Sequence, residues 1–148
     1  MRWRLLDRIT AFSPWTAIHG RKATSLEEYS LLAPLGREGR LPESLLLESA
    51  VQLGRWLALK SSGFQSTCLL ESAERFSFLR PLGMGDAVGW EIAVLAKQNE
   101  TLTVRCAGQC RGEPIAHGTL GLRLVPLADL EAAEPVAMLW EELFRAEA

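Results

Sequence analysis

The sequence has few of the residues that build metal centres or disulfide scaffolds. Its 148 residues include only three cysteines, Cys68, Cys106 and Cys110, and two histidines, His19 and His117. An odd number of cysteines without a framework spacing argues against a disulfide scaffold and for a reducing compartment, so we expect a cytoplasmic protein. No cluster of histidine and cysteine has the spacing of metal ligands, and we therefore expect no metal site.

Long apolar runs and an excess of charge of one sign are also lacking. The apolar stretches are far shorter than the ~20 residues that span a bilayer, and Asp7 and Arg8 interrupt the N-terminal region where a signal peptide needs an apolar core. The net charge is -2 and there is no basic run, so we expect neither nucleic acid nor a membrane as a partner. Apolar residues make up 48% of the chain, which is enough for one buried core.

The most apolar stretch runs from Leu41 to Lys60, LPESLLLESAVQLGRWLALK, and predicts one long helix. Pro42 suits the first helical position because the N–H that it lacks is not needed there, and Gly63 suits the turn after the helix. Apolar side chains cover most of the helix circumference. A helix of this kind is buried on most of its sides.

A narrow polar line interrupts this apolar surface. Ser44, Glu48 and Gln52 stand at i, i+4 and i+8, with Arg55 beside them. A carboxylate on a buried helix is expected either to pair with another polar group or to have a function. Glu48 is therefore either a functional group or a structural one that orders the helix. In the structural case it accepts hydrogen bonds from Gln52 or Ser44 or pairs with Arg55, and the residues alone leave these alternatives open.

Periodicity divides the remainder into short segments. The predicted strands are Trp3–Phe12, Trp15–Thr24, Gln65–Leu79, Ala87–Lys97, Thr101–Arg111 and Ile115–Val125, and the further predicted helices are Thr24–Leu32 and Val136–Arg145. The last three strands are joined by short polar turns and predict an antiparallel meander.

Only one long helix is available to cover the apolar face of this sheet. We therefore predict an α+β fold in which an antiparallel sheet wraps around one central helix. It forms a single domain over residues 1–125, followed by a C-terminal extension, 126–148, with a short amphipathic helix. The central helix is apolar even where one sheet would leave it open, which predicts a homodimer through the helix and the sheet edge, or a higher oligomer.

This order of elements resembles the hotdog fold, and four stretches resemble the 3-hydroxyacyl-acyl-carrier-protein dehydratases of fatty-acid synthesis. The four stretches are LLDRI from Leu5, LP at Leu41 with LLLESAVQ from Leu45, FLRP from Phe78 ending in GD at Gly85, and the strand after Asp86. They cover the chain from about Leu5 to Val125. The resemblance implies a substrate carried as a thioester on the phosphopantetheine of acyl carrier protein or on CoA, with no cofactor of the protein's own.

The resemblance also implies a catalytic acid or base. Glu48 stands at the position of the family's helix glutamate, whereas an ungapped count from Pro42 places Pro34 where the family has its catalytic histidine. Dehydration needs a base for the C2 proton and an acid for the departing hydroxyl. His117 and His19 are the candidate substitutes, although neither stands at the family's position.

Three functions therefore stay open. The chain is a dehydratase with a displaced histidine, or a non-catalytic subunit that binds an acyl group or carrier protein and pairs with an active homologue, or an acyl thioesterase in which Glu48 works alone. The candidate substrate-binding residues lie around the helix: Leu41, Pro42, Gln52, Arg37 and Arg40. The two arginines suit a phosphopantetheine phosphate or an acidic carrier protein.

Overall fold

The computed structural model describes residues 5–24, 41–83 and 85–145. The elements of this part of the chain are β1 (Arg8–Ser13), β2 (Ala17–Ala23), α1 (Glu43–Ser61), β3 (Ser66–Phe78), β4 (Ala87–Gln98), β5 (Thr101–Cys110), β6 (Glu113–Pro126), a 3-10 turn (Leu127–Asp129) and α2 (Ala133–Leu143). The predicted helix over Thr24–Leu32 begins at the last residue of the first described range, and the rest of it lies outside the described residues. Pro34, Arg37 and Arg40 lie outside them as well.

The six strands form one antiparallel sheet in the order β1-β2-β4-β5-β6-β3. The hairpin of β1 and β2 and the meander of β4, β5 and β6 agree with the prediction from periodicity. The sequence did not predict the place of β3, which lies at the far edge of the sheet and pairs only with β6 within the described chain.

Helix α1 lies against the inner face of this sheet. It begins at Glu43, with Pro42 as the N-cap residue (φ -59°, ψ 143°), so the helix starts two residues after the predicted Leu41. Ten of its nineteen residues are buried, from Leu46 to Leu59. Strand β5 alternates buried and open positions, as a strand with one face on a core does. The predicted α+β arrangement, a sheet wrapped around one helix, is confirmed.

A buried polar contact joins the middle of α1 to β4. The Ser49 hydroxyl is fully buried, donates to the carbonyl of Leu46 at 2.6 Å and accepts the indole N–H of Trp90 on β4 at 2.8 Å. The hydroxyl thereby satisfies the one polar group of a buried tryptophan. It also fixes how far α1 lies from the centre of the sheet.

Ser49→Ala is expected to lower the free energy of unfolding by about 1–3 kcal/mol, because the Trp90 N–H would be left buried without an acceptor. Urea unfolding measures the change. Combining it with Trp90→Phe, which removes the donor, should cost less than the sum of the two single changes. Additive costs would show that the hydrogen bond contributes nothing, and Ser44→Ala, at an exposed position of α1, is the control.

The C-terminal extension packs against the core. Helix α2 begins at Ala133, three residues earlier than predicted, and buries Val136, Trp140 and Leu143. Beyond it, the N–H of Arg145 donates to the carbonyl of Ile9 in β1 at 2.8 Å. The extension thus covers the end of the helix–sheet interface that lies next to β1.

Candidate functional site

Glu48 lies in the second turn of α1 and is paired with a cation. Its carboxylate accepts a hydrogen bond from Arg55 Nη1 at 3.3 Å, and both side chains are about one-third exposed (37% and 32%). Arg55 also donates from Nε to the carbonyl of Cys68 in the edge strand β3, at 3.2 Å. The ion pair therefore holds the carboxylate on the side of the helix near this edge strand, within reach of solvent.

The predicted polar line lies on the least buried side of α1. Ser44 is exposed, and Glu48 and Gln52 are half-buried. The amide oxygen of Gln52 accepts the backbone N–H of Leu5 at 2.9 Å, so this side chain supports the segment before β1. Ser44 and Glu48 are one helical turn apart, on the same side of the helix.

A cavity of about 490 Å³ opens at the beginning of α1, beside Ser44. The residues that line it come from the start of the helix with the two residues before it, and from the end of β3 with the segment after it: Leu41, Pro42, Glu43, Ser44, Leu46, Phe78, Leu79, Arg80, Pro81 and Leu82. Its volume falls in the range of small-molecule sites, roughly 300–1,000 Å³. Two predicted substrate contacts, Leu41 and Pro42, belong to its lining, whereas Gln52 and the candidate catalytic residue Glu48 do not.

The helix end and the Glu43 carboxylate in its first turn both contribute to the electrostatics of this cavity. Pro42 has no side-chain group that could cap α1, so the N–H groups of the first turn point toward the cavity end of the helix. The helix dipole places partial positive charge at the same end. At the rim, Arg80 forms an ion pair with Glu113. The arrangement favours a ligand with an electron-rich oxygen.

The two histidines lie elsewhere. His19 on β2 has its Nε2 atom 3.8 Å from a carboxylate oxygen of Glu91 on β4, and His117 on β6 is exposed. Each histidine stands between two buried neighbours on its strand, so both project from the outer face of the sheet, opposite α1. Within the chain, the structure does not bring either of them together with Glu48.

The three cysteines are free and buried in the core. Burial raises the pKa of both Cys68 and Cys106 from 9.0 to about 12, and for Cys68 the nearby Arg55 guanidinium offsets part of this rise. Thiols with so high a pKa stay protonated near neutral pH and are poor nucleophiles. Cys110 is buried as well.

Residues 5–24, 41–83 and 85–145 contain no group of three or more histidine, cysteine, aspartate or glutamate side chains placed to hold a metal ion. None of the helices in these ranges is long and apolar enough to cross a membrane.

Solved structures with a similar backbone identify the fold. A hot-dog-like protein from Thermanaerovibrio acidaminovorans matches with a TM-score of 0.66 at 18% identity, over 88% of this chain and 92% of that chain. The chain has the hotdog fold. A Streptococcus mutans protein bound to acetyl CoA matches with a TM-score of 0.68 at 9% identity, over 85% of this chain and 94% of that chain. A mutant thioesterase from Pseudomonas aeruginosa matches with a TM-score of 0.64 at 19% identity, over 81% of each chain.

No protein-family model matches the sequence, and no curated protein matches it either. At the identities above, the structural likenesses establish the hotdog fold alone. The dehydratase resemblance therefore remains an inference from the short stretches quoted above.

Proposed function

We propose that the protein binds acyl thioesters of CoA or acyl carrier protein and hydrolyses them with Glu48 as the catalytic group. The hotdog fold supports the substrate class, because similar backbones occur in a thioesterase and in proteins solved with acetyl CoA or coenzyme A. The observation that favours hydrolysis over dehydration is the position of the histidines. Both lie on the face of the sheet opposite Glu48, so the carboxylate has no imidazole partner from its own described chain.

Hydrolysis needs one basic group, which is what the helix offers. The Glu48 carboxylate takes a proton from a water molecule whose oxygen attacks the thioester carbonyl carbon. The C–S bond then breaks, the proton passes to the leaving sulfur, and the products are a carboxylic acid and a free thiol. The N–H groups at the start of α1 suit the negative charge that develops on the carbonyl oxygen during the attack.

The cavity beside Ser44 is the proposed acyl site, with Leu41 and Pro42 at its rim. Arg37 and Arg40, which precede the rim in sequence, remain the proposed contacts for a phosphopantetheine phosphate. Gln52 acts through its support of the segment before β1 rather than as a direct contact.

We also propose that two copies associate through α1 and the free edge of β3. This strand is thirteen residues long and pairs only with β6 in the part of the chain described. An unpaired strand edge with an exposed apolar residue, here Leu70 at 40%, is a ready template for another chain. Closed two-fold symmetry is the commonest way to satisfy such an edge.

A second candidate function is binding without turnover. The ion pair with Arg55 at 3.3 Å favours it, because it gives the Glu48 carboxylate a structural partner that requires no reaction. In this case the protein would hold an acyl thioester or carrier protein for an active homologue.

The purified protein is expected to release free thiol from butanoyl-CoA, followed with a chromogenic thiol reagent. Its own buried cysteines, Cys68, Cys106 and Cys110, should react little with the reagent in the folded state. The same preparation is then given crotonyl-CoA and 3-hydroxybutanoyl-CoA, and their interconversion is followed by ultraviolet absorbance. Interconversion without thiol release would show a dehydratase instead, and neither reaction together with capture of acyl carrier protein would show a binding subunit.

A further inference from the structure

The cavity at the start of α1 ends on a block of three aromatic rings. Phe78 lines the cavity, its ring centroid lies 5.3 Å from that of Phe76, and the Phe76 centroid lies 6.3 Å from that of Trp90. Leu46 and Leu82, which are both buried, complete the apolar inner wall. Behind Phe78, the space between helix and sheet is therefore occupied by the other two rings of this ring block.

Two glycines allow the ring block to lie flat on the sheet. A Cβ atom at Gly108 would come within 2.8 Å of Trp90 Cζ3, and one at Gly118 would overlap the ring of Phe76. On the helix side, the Ser49 hydroxyl holds the Trp90 indole at 2.8 Å. Trp90 is buried and held from both sides, and the half-buried Phe76 lies between it and Phe78. Because protein interiors are close-packed, a ligand that presses on Phe78 has little room to push these rings toward Trp90.

We propose that the ring block sets the length of the acyl chain, so that the site accepts short acyl thioesters. This inference rests on the proposed function, because it takes the cavity as the acyl site. Each further methylene group that enters an apolar cavity strengthens binding about fourfold. This gain in affinity stops where the acyl chain meets Phe78, because a longer acyl chain must either move the rings or leave its end in water.

The test compares S-butyl-CoA with S-octyl-CoA, which are thioethers and cannot be hydrolysed. The wild-type protein is expected to bind the octyl compound no more tightly than the butyl compound in titration calorimetry. Phe78→Ala should improve binding of the octyl compound relative to the butyl compound by about fifteenfold, the effect of two further buried methylene groups at about fourfold each. Phe78→Leu, which keeps more of the core, should shift the ratio in the same direction by less.

Phe64→Ala is the matched control, because Phe64 follows the opposite end of α1 and does not line this cavity. It should leave the ratio of the two affinities unchanged. The proposal is overturned if the wild-type protein already binds the octyl compound much more tightly, or if both Phe78 variants fold and keep the wild-type ratio.

Hydrolysis of butanoyl-CoA by the same preparations separates this inference from the proposed function. If butanoyl-CoA is hydrolysed but binding of the thioethers shows no length limit, only the ring-block proposal is wrong. A length limit in binding without turnover contradicts hydrolysis and supports the ring block. If neither thioether binds and no thiol is released, both proposals are wrong.

Discussion

Replacement of Glu48 by glutamine is expected to lower the rate of acyl-thioester hydrolysis by about 10²- to 10⁴-fold, the usual contribution of a general acid or base. Glutamine keeps the size of the side chain and its capacity to accept a hydrogen bond from Arg55, but it cannot take a proton from water. The rate of thiol release from butanoyl-CoA at saturating substrate measures the effect. Binding of a thioether analogue should change much less than the rate.

The size of this effect distinguishes catalysis from helix ordering. The ion pair of Glu48 with Arg55 is partly exposed, and pairs of that kind contribute about 1 kcal/mol or less to stability. A thousandfold loss of rate corresponds to about 4 kcal/mol and would greatly exceed it. Glu91→Gln, which removes a half-exposed carboxylate on the outer face of the sheet, is the matched control and should keep full activity.

Two results would assign Glu48 a structural role. One is a Glu48→Gln variant that keeps its rate. The other is an Arg55→Gln variant that loses rate and stability in the same proportion as Glu48→Gln. A rate that is partly restored in Glu48→Asp would instead support the carboxylate as the reacting group.

Trp140→Ala is expected to lower the free energy of unfolding by about 3–5 kcal/mol, in the range for a buried aromatic side chain. Trp140 is 3% exposed, and its ring lies 5.3 Å from Phe12, 6.1 Å from Trp56 and 5.1 Å from Phe144, measured between centroids. The Lys60 ammonium lies 5.5 Å from the same ring. Truncation would leave a cavity between β1, α1 and α2 that none of these neighbours can fill without moving.

Thermal and urea unfolding measure this change, and the midpoint of thermal unfolding should fall by roughly 10 °C. Met138→Ala, at a position of α2 that is 64% exposed, is the control and should change stability by less than about 0.5 kcal/mol. If Trp140→Ala is as stable as the control, the extension is an independent appendage. A large loss instead makes residues 126–148 part of the folding unit, although they lie outside the predicted boundary of 1–125.

The sequence predicted most of the architecture because the relevant signals are local. Alternation in Thr101–Cys110 shows the buried face of β5 directly, and the apolar circumference of Glu43–Ser61 shows that α1 is enclosed. The edge position of β3 is different, because strand order depends on which distant strands meet. Nothing within Ser66–Phe78 encodes its pairing with β6.

The candidate site was predicted only in part, for the same reason. Glu48 was visible as a carboxylate on an apolar helix, and its pairing with Arg55 was one of the alternatives left open. The position of the histidines on the outer face follows from strand parity and was not predicted, so both stayed candidates for catalysis. The cavity wall at Phe78 was not predicted, because it forms between a helix end and a loop that are separated by more than thirty residues, and only the FLRP stretch pointed there.

The contact between β1 and the end of the chain has a consequence for the order of folding during synthesis. The Arg8 guanidinium donates to the Arg145 carbonyl across 137 residues of sequence, and Phe144 forms a parallel bridge with Ile9. Contacts of such long range are the slowest to form, and a chain that emerges from the ribosome begins to fold from its N-terminal end. The apolar residues of β1 therefore remain partly uncovered until Trp140 has been synthesised.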